Sequence, residues 1–146
     1  MQTPLIYIID NNLSYRKITE NCLLSSNYAH FRSFDDGESC YVSKAPVPDI
    51  IITDYNLGEG RWCGTDFMEE YSRINNSVVF IFLSSNLKIE IAVEAVKLGA
   101  KDYILKSKAG LTRLIKQLDI VKGNLMNNSQ LQLTSVTKSP KITTNL

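Results

Sequence analysis

The segment Pro48-Asp49-Ile50-Ile51-Ile52-Thr53-Asp54 limits the fold of this chain more than any other stretch. It is short, β-branched and almost uniformly apolar, and it ends on a carboxylate. A strand reads this way when helices cover both faces of its sheet, because neither face then calls for polar side chains. The pattern recurs at Leu5-Ile6-Tyr7-Ile8-Ile9-Asp10-Asn11 and, ending on hydroxyls, at Val78-Val79-Phe80-Ile81-Phe82-Leu83-Ser84-Ser85. A shorter version, Tyr103-Ile104-Leu105, ends on Lys106. In an open α/β sheet the carboxyl ends of the strands form the edge where ligands bind. Here that edge would collect Asp10, Asp54, Ser84 and Lys106.

Helical patterns alternate with these strands. Tyr15, Ile18 and Cys22 share a face after Leu13-Ser14, and 36–42 reads as a short helix stopped by Pro46 and Pro48. Phe67, Met68, Tyr71 and Ile74 define a third helix. Ile89, Ala92, Val93 and Val96 define a fourth, ended by Gly99; Leu111, Leu114, Ile115, Leu118 and Val121 define a fifth, ended near Gly123. These spacings mark helices with one buried stripe. The fourth helix carries a second apolar face, Ile91, Ala95 and Leu98, which reads either as a wide core face or as a partner surface. With a further strand around Tyr28-Ala29-His30-Phe31-Arg32, the alternation predicts right-handed crossovers. The expected fold is α/β, a three-layer flavodoxin-like (βα)5 domain with a five-stranded parallel sheet, over residues 1–123. Residues 124–146 have no acidic and no aromatic residue, are rich in Ser, Thr and Asn, and are expected to form a flexible polar tail.

Composition narrows the function. The 146 residues suit one domain, and the 44% hydrophobic content supports a core. A net charge of +1, from 16 basic and 15 acidic residues, argues against broad binding to nucleic acid or to a membrane surface. Cys22, Cys40 and Cys63 show no metal-ligand spacing and read as thiols in a reducing compartment. His30 is the only histidine, which excludes a multi-histidine zinc site within one chain. No leader pattern and no run of membrane-spanning length is visible, so a cytoplasmic location is expected.

The strand-end residues suit one chemistry. A buried aspartate can attack phosphorus and form an aspartyl phosphate. Two anions must then approach, which calls for a divalent cation, and Mg²⁺ prefers one or two carboxylates plus phosphate oxygens and water. Asp10 and Asp54 would supply the carboxylates, Lys106 a point charge for a phosphoryl oxygen, and Ser84 a hydrogen bond to another. Each residue has a simpler role when taken singly. Asp10 or Ser84 could cap a helix, and Lys106 could be a solvated surface charge. Four suitable residue types on the matching strands argue for the joint role.

On the segments Ile9-Asp10-Asn11, 49–54, Leu83-Ser84-Ser85 and 97–106, the chain resembles a response-regulator receiver domain of a two-component system, similar to the chemotaxis receivers, over roughly residues 4–122. The Gly99-Ala100 pair followed by a short strand and Lys106 is the most specific mark. The resemblance implies that Asp54 accepts a phosphoryl group from a phosphohistidine on a sensor histidine kinase or phosphotransfer protein. It implies Mg²⁺ held by Asp10, Asp54 and the backbone carbonyl of Asn56, with Asn11 in the place of a second acid. It implies Ser84, Tyr103 and Lys106 as switch residues, and a downstream protein target engaged by the fourth helix, fifth strand and fifth helix. No enzymatic activity is expected beyond self-catalysed transfer to Asp54, and a homodimer is left open.

There are departures from the family pattern. Asn11 removes a negative charge, so Mg²⁺ binding is expected to weaken without being lost. Ser107 stands where the family usually has proline. The loop from Tyr55 to Gly64 is longer than usual, carries extra glycines and holds Trp62, which either covers the site or packs on the surface. A degenerate receiver that serves as a constitutive interaction module is the second reading. A phosphatase with an aspartyl nucleophile is disfavoured, because Asn56 stands where its general acid would be. Flavin binding is disfavoured too, because no phosphate-cradling loop follows the first strand.

Overall fold

A computed structural model describes residues 3–138. The strands are β1 (Ile6–Ile9), β2 (Phe31–Phe34), β3 (Ile50–Thr53), β4 (Val79–Ser84) and β5 (Asp102–Leu105). They alternate with helices α1 (Leu13–Ser25), α2 (Gly37–Tyr41), α3 (Gly64–Ile74), α4 (Ile89–Lys97) and α5 (Lys108–Lys138). All strand pairs are parallel, in the order β2-β1-β3-β4-β5, which is the expected flavodoxin-like arrangement.

Successive strand residues point to opposite faces, and here both faces are dry. Ile6, Ile8, Ile50, Ile52, Ile81 and Leu83 join Leu23 of α1 and Leu114, Leu118 and Val121 of α5 in one core. The alternate residues Tyr7, Ile9, Ile51, Phe80 and Phe82 join Cys40, Phe67, Met68 and Ala95 from α2, α3 and α4 in the other. Burying a large apolar side chain contributes roughly 1.5–3 kcal/mol. The β-branched runs are therefore apolar throughout because they serve two cores at once.

Four expectations are corrected. In α1 the buried residues are Thr19 and Leu23, while Ile18 is exposed and Cys22 half-buried. A one-position rotation separates the two stripes, and the deciding contact is Leu23 in the core. The second strand starts at Phe31, so His30 precedes it, exposed, with its carbonyl accepting from the Ile6 N–H. Tyr28, ahead of it, is buried and donates to Asp119 on α5 at 2.5 Å.

The third correction concerns α4. Of the face Ile91, Ala95 and Leu98, read either as core or as a partner surface, Ala95 is fully buried and Ile91 half-buried, so the core reading holds for Ala95 and the partner-surface reading does not. The stripe expected in the core is the exposed one, with Ile89 at 75%, Val93 at 46% and Val96 at 51%. A helix with two apolar faces has no preferred rotation from its pattern alone. The small Ala95 turns inward because it lets the helix approach the sheet closely. Leu98 remains exposed.

Fourth, the helix does not stop at Gly123. It continues to Lys138, so residues 124–138 are helical where a flexible tail was expected; residues 139–146 lie outside the described residues. A glycine inside a helix costs about 1 kcal/mol. Leu125, packed against the first core just beyond it, offsets that cost. No helix among the described residues is long and apolar enough to cross a membrane.

Candidate functional site

Strand register assembles the site. Ile9 pairs with Thr53, so the residues that follow, Asp10 and Asp54, leave the sheet side by side. Thr53 pairs with Phe82 and Ser84 with Leu105, which brings Ser84 and then Lys106 to the same edge. Lys106 Nζ donates to Asp54 Oδ2 at 2.7 Å and sits 2.9 Å from Asp10 Oδ2. All three side chains are at least nine-tenths buried.

Each carboxylate spends its other oxygen on the backbone. Asp10 Oδ1 accepts from the Asn12 N–H at 2.9 Å, and Asp54 Oδ1 from the Tyr55 N–H at 2.7 Å. Asp10 therefore does not cap α1. Asn12 does, accepting from the Tyr15 N–H at 3.0 Å. Burial raises the Asp10 pKa; the Asn12 N–H and Lys106 pull it back only in part. Burial works against the Lys106 charge, but hydrogen bonds and attraction from Asp54 and Asp10 outweigh it, so its pKa is raised.

The remaining sequence-predicted residues surround this triad. Ser84 is fully buried, and its Oγ accepts from the Asn86 N–H at 3.2 Å. Tyr103 stacks on Phe82 and donates its hydroxyl to the Asn86 carbonyl at 3.0 Å. Asn11 and Asn56 are exposed and line the cleft that holds Asp54 and Lys106. Trp62 packs edge-on against Tyr41 of α2, and its backbone N–H donates to Glu38 Oε2 at 3.0 Å; it is absent from the residues lining that cleft. Ser107 caps the first turn of α5, its Oγ accepting from the Gly110 N–H at 2.9 Å. Proline has no hydroxyl for that bond.

Sequence reasoning missed three contributors. Tyr15 lies under Lys106, with Nζ 4.6 Å from the ring centre, a cation–π contact that the helical spacing could not reveal. Gly64 closes the long loop at its base through its N–H to the Tyr55 carbonyl at 2.7 Å. A side-chain carbon there would come within 2.4 Å of the Asp54 carbonyl and 2.6 Å of Phe82, so only glycine lets α3 start this close to the acid. Gly110 stands similarly tight against Leu105, just ahead of Lys106. Of the two glycines, Gly64 was read only as the end of the long loop.

The donor set is all oxygen: two buried carboxylates, with the Asn56 backbone and the Asn11 amide at the rim. That chemistry fits a hard divalent cation such as Mg²⁺. The Lys106 ammonium held between the aspartates shows that the pair concentrates positive charge.

The lysine has a measurable consequence in metal-free solution. Its raised pKa means that its contribution is complete below the unfolded value of about 10.4 and is lost as pH rises through the folded value. Asp10, with its pKa raised, retains a proton in the folded state above the unfolded value of about 3.9, so its contribution declines as pH rises through that window. Lys106→Met widens the window. The variant should be less stable by about 3 kcal/mol at neutral pH, with a smaller deficit near pH 5. Urea unfolding at the two pH values measures this, and an equal deficit at both would contradict the account.

An open, all-parallel five-stranded sheet with paired aspartates and a lysine at its carboxyl edge is a flavodoxin-like domain with an acidic pocket. The chain belongs to the response regulator receiver domain family, whose model matches residues 6–119. It is 25% identical over 135 residues to the transcriptional regulatory protein ZraR of Klebsiella oxytoca, covering 92% of this chain and 28% of that protein. It is 26% identical over 102 residues to the chemotaxis protein CheY of Thermotoga maritima, covering 69% of this chain and 83% of that protein. The chain thus spans less than a third of the length of ZraR. Among solved structures, the signal receiver domain of a putative Luxo repressor protein from Vibrio parahaemolyticus superposes with a TM-score of 0.75 at 16% identity, over 89% of this chain and 98% of that one. The receiver domain of NtrX from Brucella abortus gives 0.71 at 23% identity, over 81% and 98%. At these identities the structural likeness speaks for the fold.

Proposed function

We propose that this receiver domain is a phosphorylation-controlled switch with Asp54 as acceptor. The carrying observation is the single ammonium of Lys106 bonded to both Asp54 and Asp10 in a buried pocket. An Asp54 carboxylate oxygen attacks the phosphorus of a phosphohistidine on a sensor kinase or phosphotransfer protein. An O–P bond forms, the P–N bond breaks, and the electron pair leaves with the imidazole nitrogen. Asp10, Asp54, Asn56 and Asn11 would hold Mg²⁺, which when bound supplies charge neutralisation for the incoming phosphoryl oxygens. Lys106 already neutralises the acceptor and would follow a phosphoryl oxygen, a buried charge-assisted contact.

The Ser84 hydroxyl, now accepting from Asn86, would turn to donate to the phosphoryl group. Tyr103 shares Asn86 with Ser84, so a change at one is felt at the other. Tyr103 also lines the groove between α4 and α5 with Leu87, Ile89, Ala92 and Leu105. Leu87, Ile89 and Leu105 are exposed there, and Val93 and Val96 extend the apolar face of α4. This surface is the proposed contact for a downstream protein. The reading places the chain in the cytoplasm, with its cysteines as free thiols. It involves no activity beyond self-catalysed transfer and no nucleic-acid contact through this segment.

The test is incubation with a small acyl phosphate and Mg²⁺, followed by intact mass measurement. A gain of one phosphoryl group that depends on the cation and is released by hydroxylamine is expected. No gain under these conditions would favour the second reading, a constitutive interaction module, to which the neutral Asn11 lends its weight.

A further inference from the structure

The cleft around Asp54 carries a third carboxylate that the family pattern does not supply. Glu59 sits in the long loop between β3 and α3 and lines the same cleft as Asn11, Asn56, Asp54 and Lys106. It is exposed and makes no ion pair among the described residues. Its neighbour Arg61 on that rim pairs instead with Asp36, at 3.6 Å. Gly58 and Gly60 flank Glu59 with φ of +108° and +74°, a left-handed path that turns the loop at this point. The turn seats Gly58 beside Asn11: a side-chain carbon at Gly58 would stand 3.6 Å from Asn11 Nδ2. Glu59 thus follows directly on the residue seated beside Asn11, the position where the site has lost a negative charge.

We propose that Glu59 restores that charge, acting on the bound divalent cation from the loop in place of the acid absent at Asn11. No three acidic, imidazole or thiol side chains among the described residues lie in common reach of one ion, so Glu59 works through a metal-bound water. Mg²⁺ suits this arrangement because it keeps several of its waters, and groups that hydrogen-bond them tune its affinity. The inference rests on the Mg²⁺ site proposed above.

The test is Mg²⁺ titration by calorimetry on the whole chain, without phosphodonor, with thermal unfolding as a check on folding. Glu59→Gln should weaken binding on the order of fivefold to tenfold, the scale of one solvent-screened charge a few ångströms away. Asn11→Asp should tighten binding in the wild-type background and return Glu59→Gln to near the wild-type Kd. Glu69→Gln, an exposed acid on α3, should leave the Kd unchanged. A wild-type Kd for Glu59→Gln would overturn the proposal, as would a loss that Asn11→Asp does not repair or that Glu69→Gln reproduces. Failure of the wild-type chain to bind Mg²⁺ at all would instead remove the cation site itself, and this inference with it.

Discussion

Asp54→Asn is expected to abolish phosphoryl uptake from an acyl phosphate, where the wild-type chain gains one group. The substitution is nearly isosteric. An amide oxygen at this position can still accept from Tyr55 N–H or Lys106, the two partners of the native carboxylate. What is lost is the charged nucleophile. Fold and pocket should persist, because Asn also relieves the repulsion that Asp10 and Asp54 exert on one another. Intact mass and far-ultraviolet circular dichroism, measured together, separate the two effects. Retained helicity with no mass gain is the expected result. A variant that still takes up one phosphoryl group would move the acceptor elsewhere and undo the assignment.

Gly110→Ala should be the most damaging single methyl addition in the domain. Its Cβ would lie 1.8 Å from the Leu105 carbonyl oxygen and 3.1 Å from Ser107 Oγ. Both are tied down: Leu105 pairs with Ser84 in the sheet, and Ser107 Oγ accepts from the Gly110 N–H. Relief requires moving the start of α5 or the end of β5. Overpacking of this kind costs about 3 kcal/mol, which corresponds to a fall in Tm on the order of 10 °C. Because Lys106 lies between the two anchors, the same shift should draw its ammonium away from Asp54 and slow phosphoryl uptake. Gly123→Ala is the internal comparison. Nothing lies within 4 Å of its added carbon, and the position is helical, so it should stabilise by about 1 kcal/mol. A thermal melt in which both glycine variants behave alike would show that contact with Leu105 is not the cause.

The fold was largely legible. Ile50, Ile51 and Ile52 announced a strand buried on both faces, and their alternate membership in two cores bears that out. The stripe of α5 was read in the right phase through Leu114 and Leu118, and that of α3 through Phe67, Met68 and Tyr71, although Ile74 at the end of α3 is exposed. The rotation of α4 was not legible, since Ile89, Val93 and Val96 look as core-like as Ile91 and Ala95 in one dimension. Nor was the extension of α5, because a glycine and a polar composition read as an end until Leu125 is seen against the core.

What this chain determines by itself is which residues stand at the carboxyl ends of its strands. A continuous apolar run must end somewhere, and Asp10, Asp54, Ser84 and Lys106 stand where these runs end. Only the tertiary structure decides that Lys106 reaches both aspartates, that Tyr15 lies beneath it, and that Glu59 shares the cleft with Asn11. Those relations depend on strand order, loop path and helix rotation. All three are fixed by contacts between residues far apart in the chain, which no local pattern encodes.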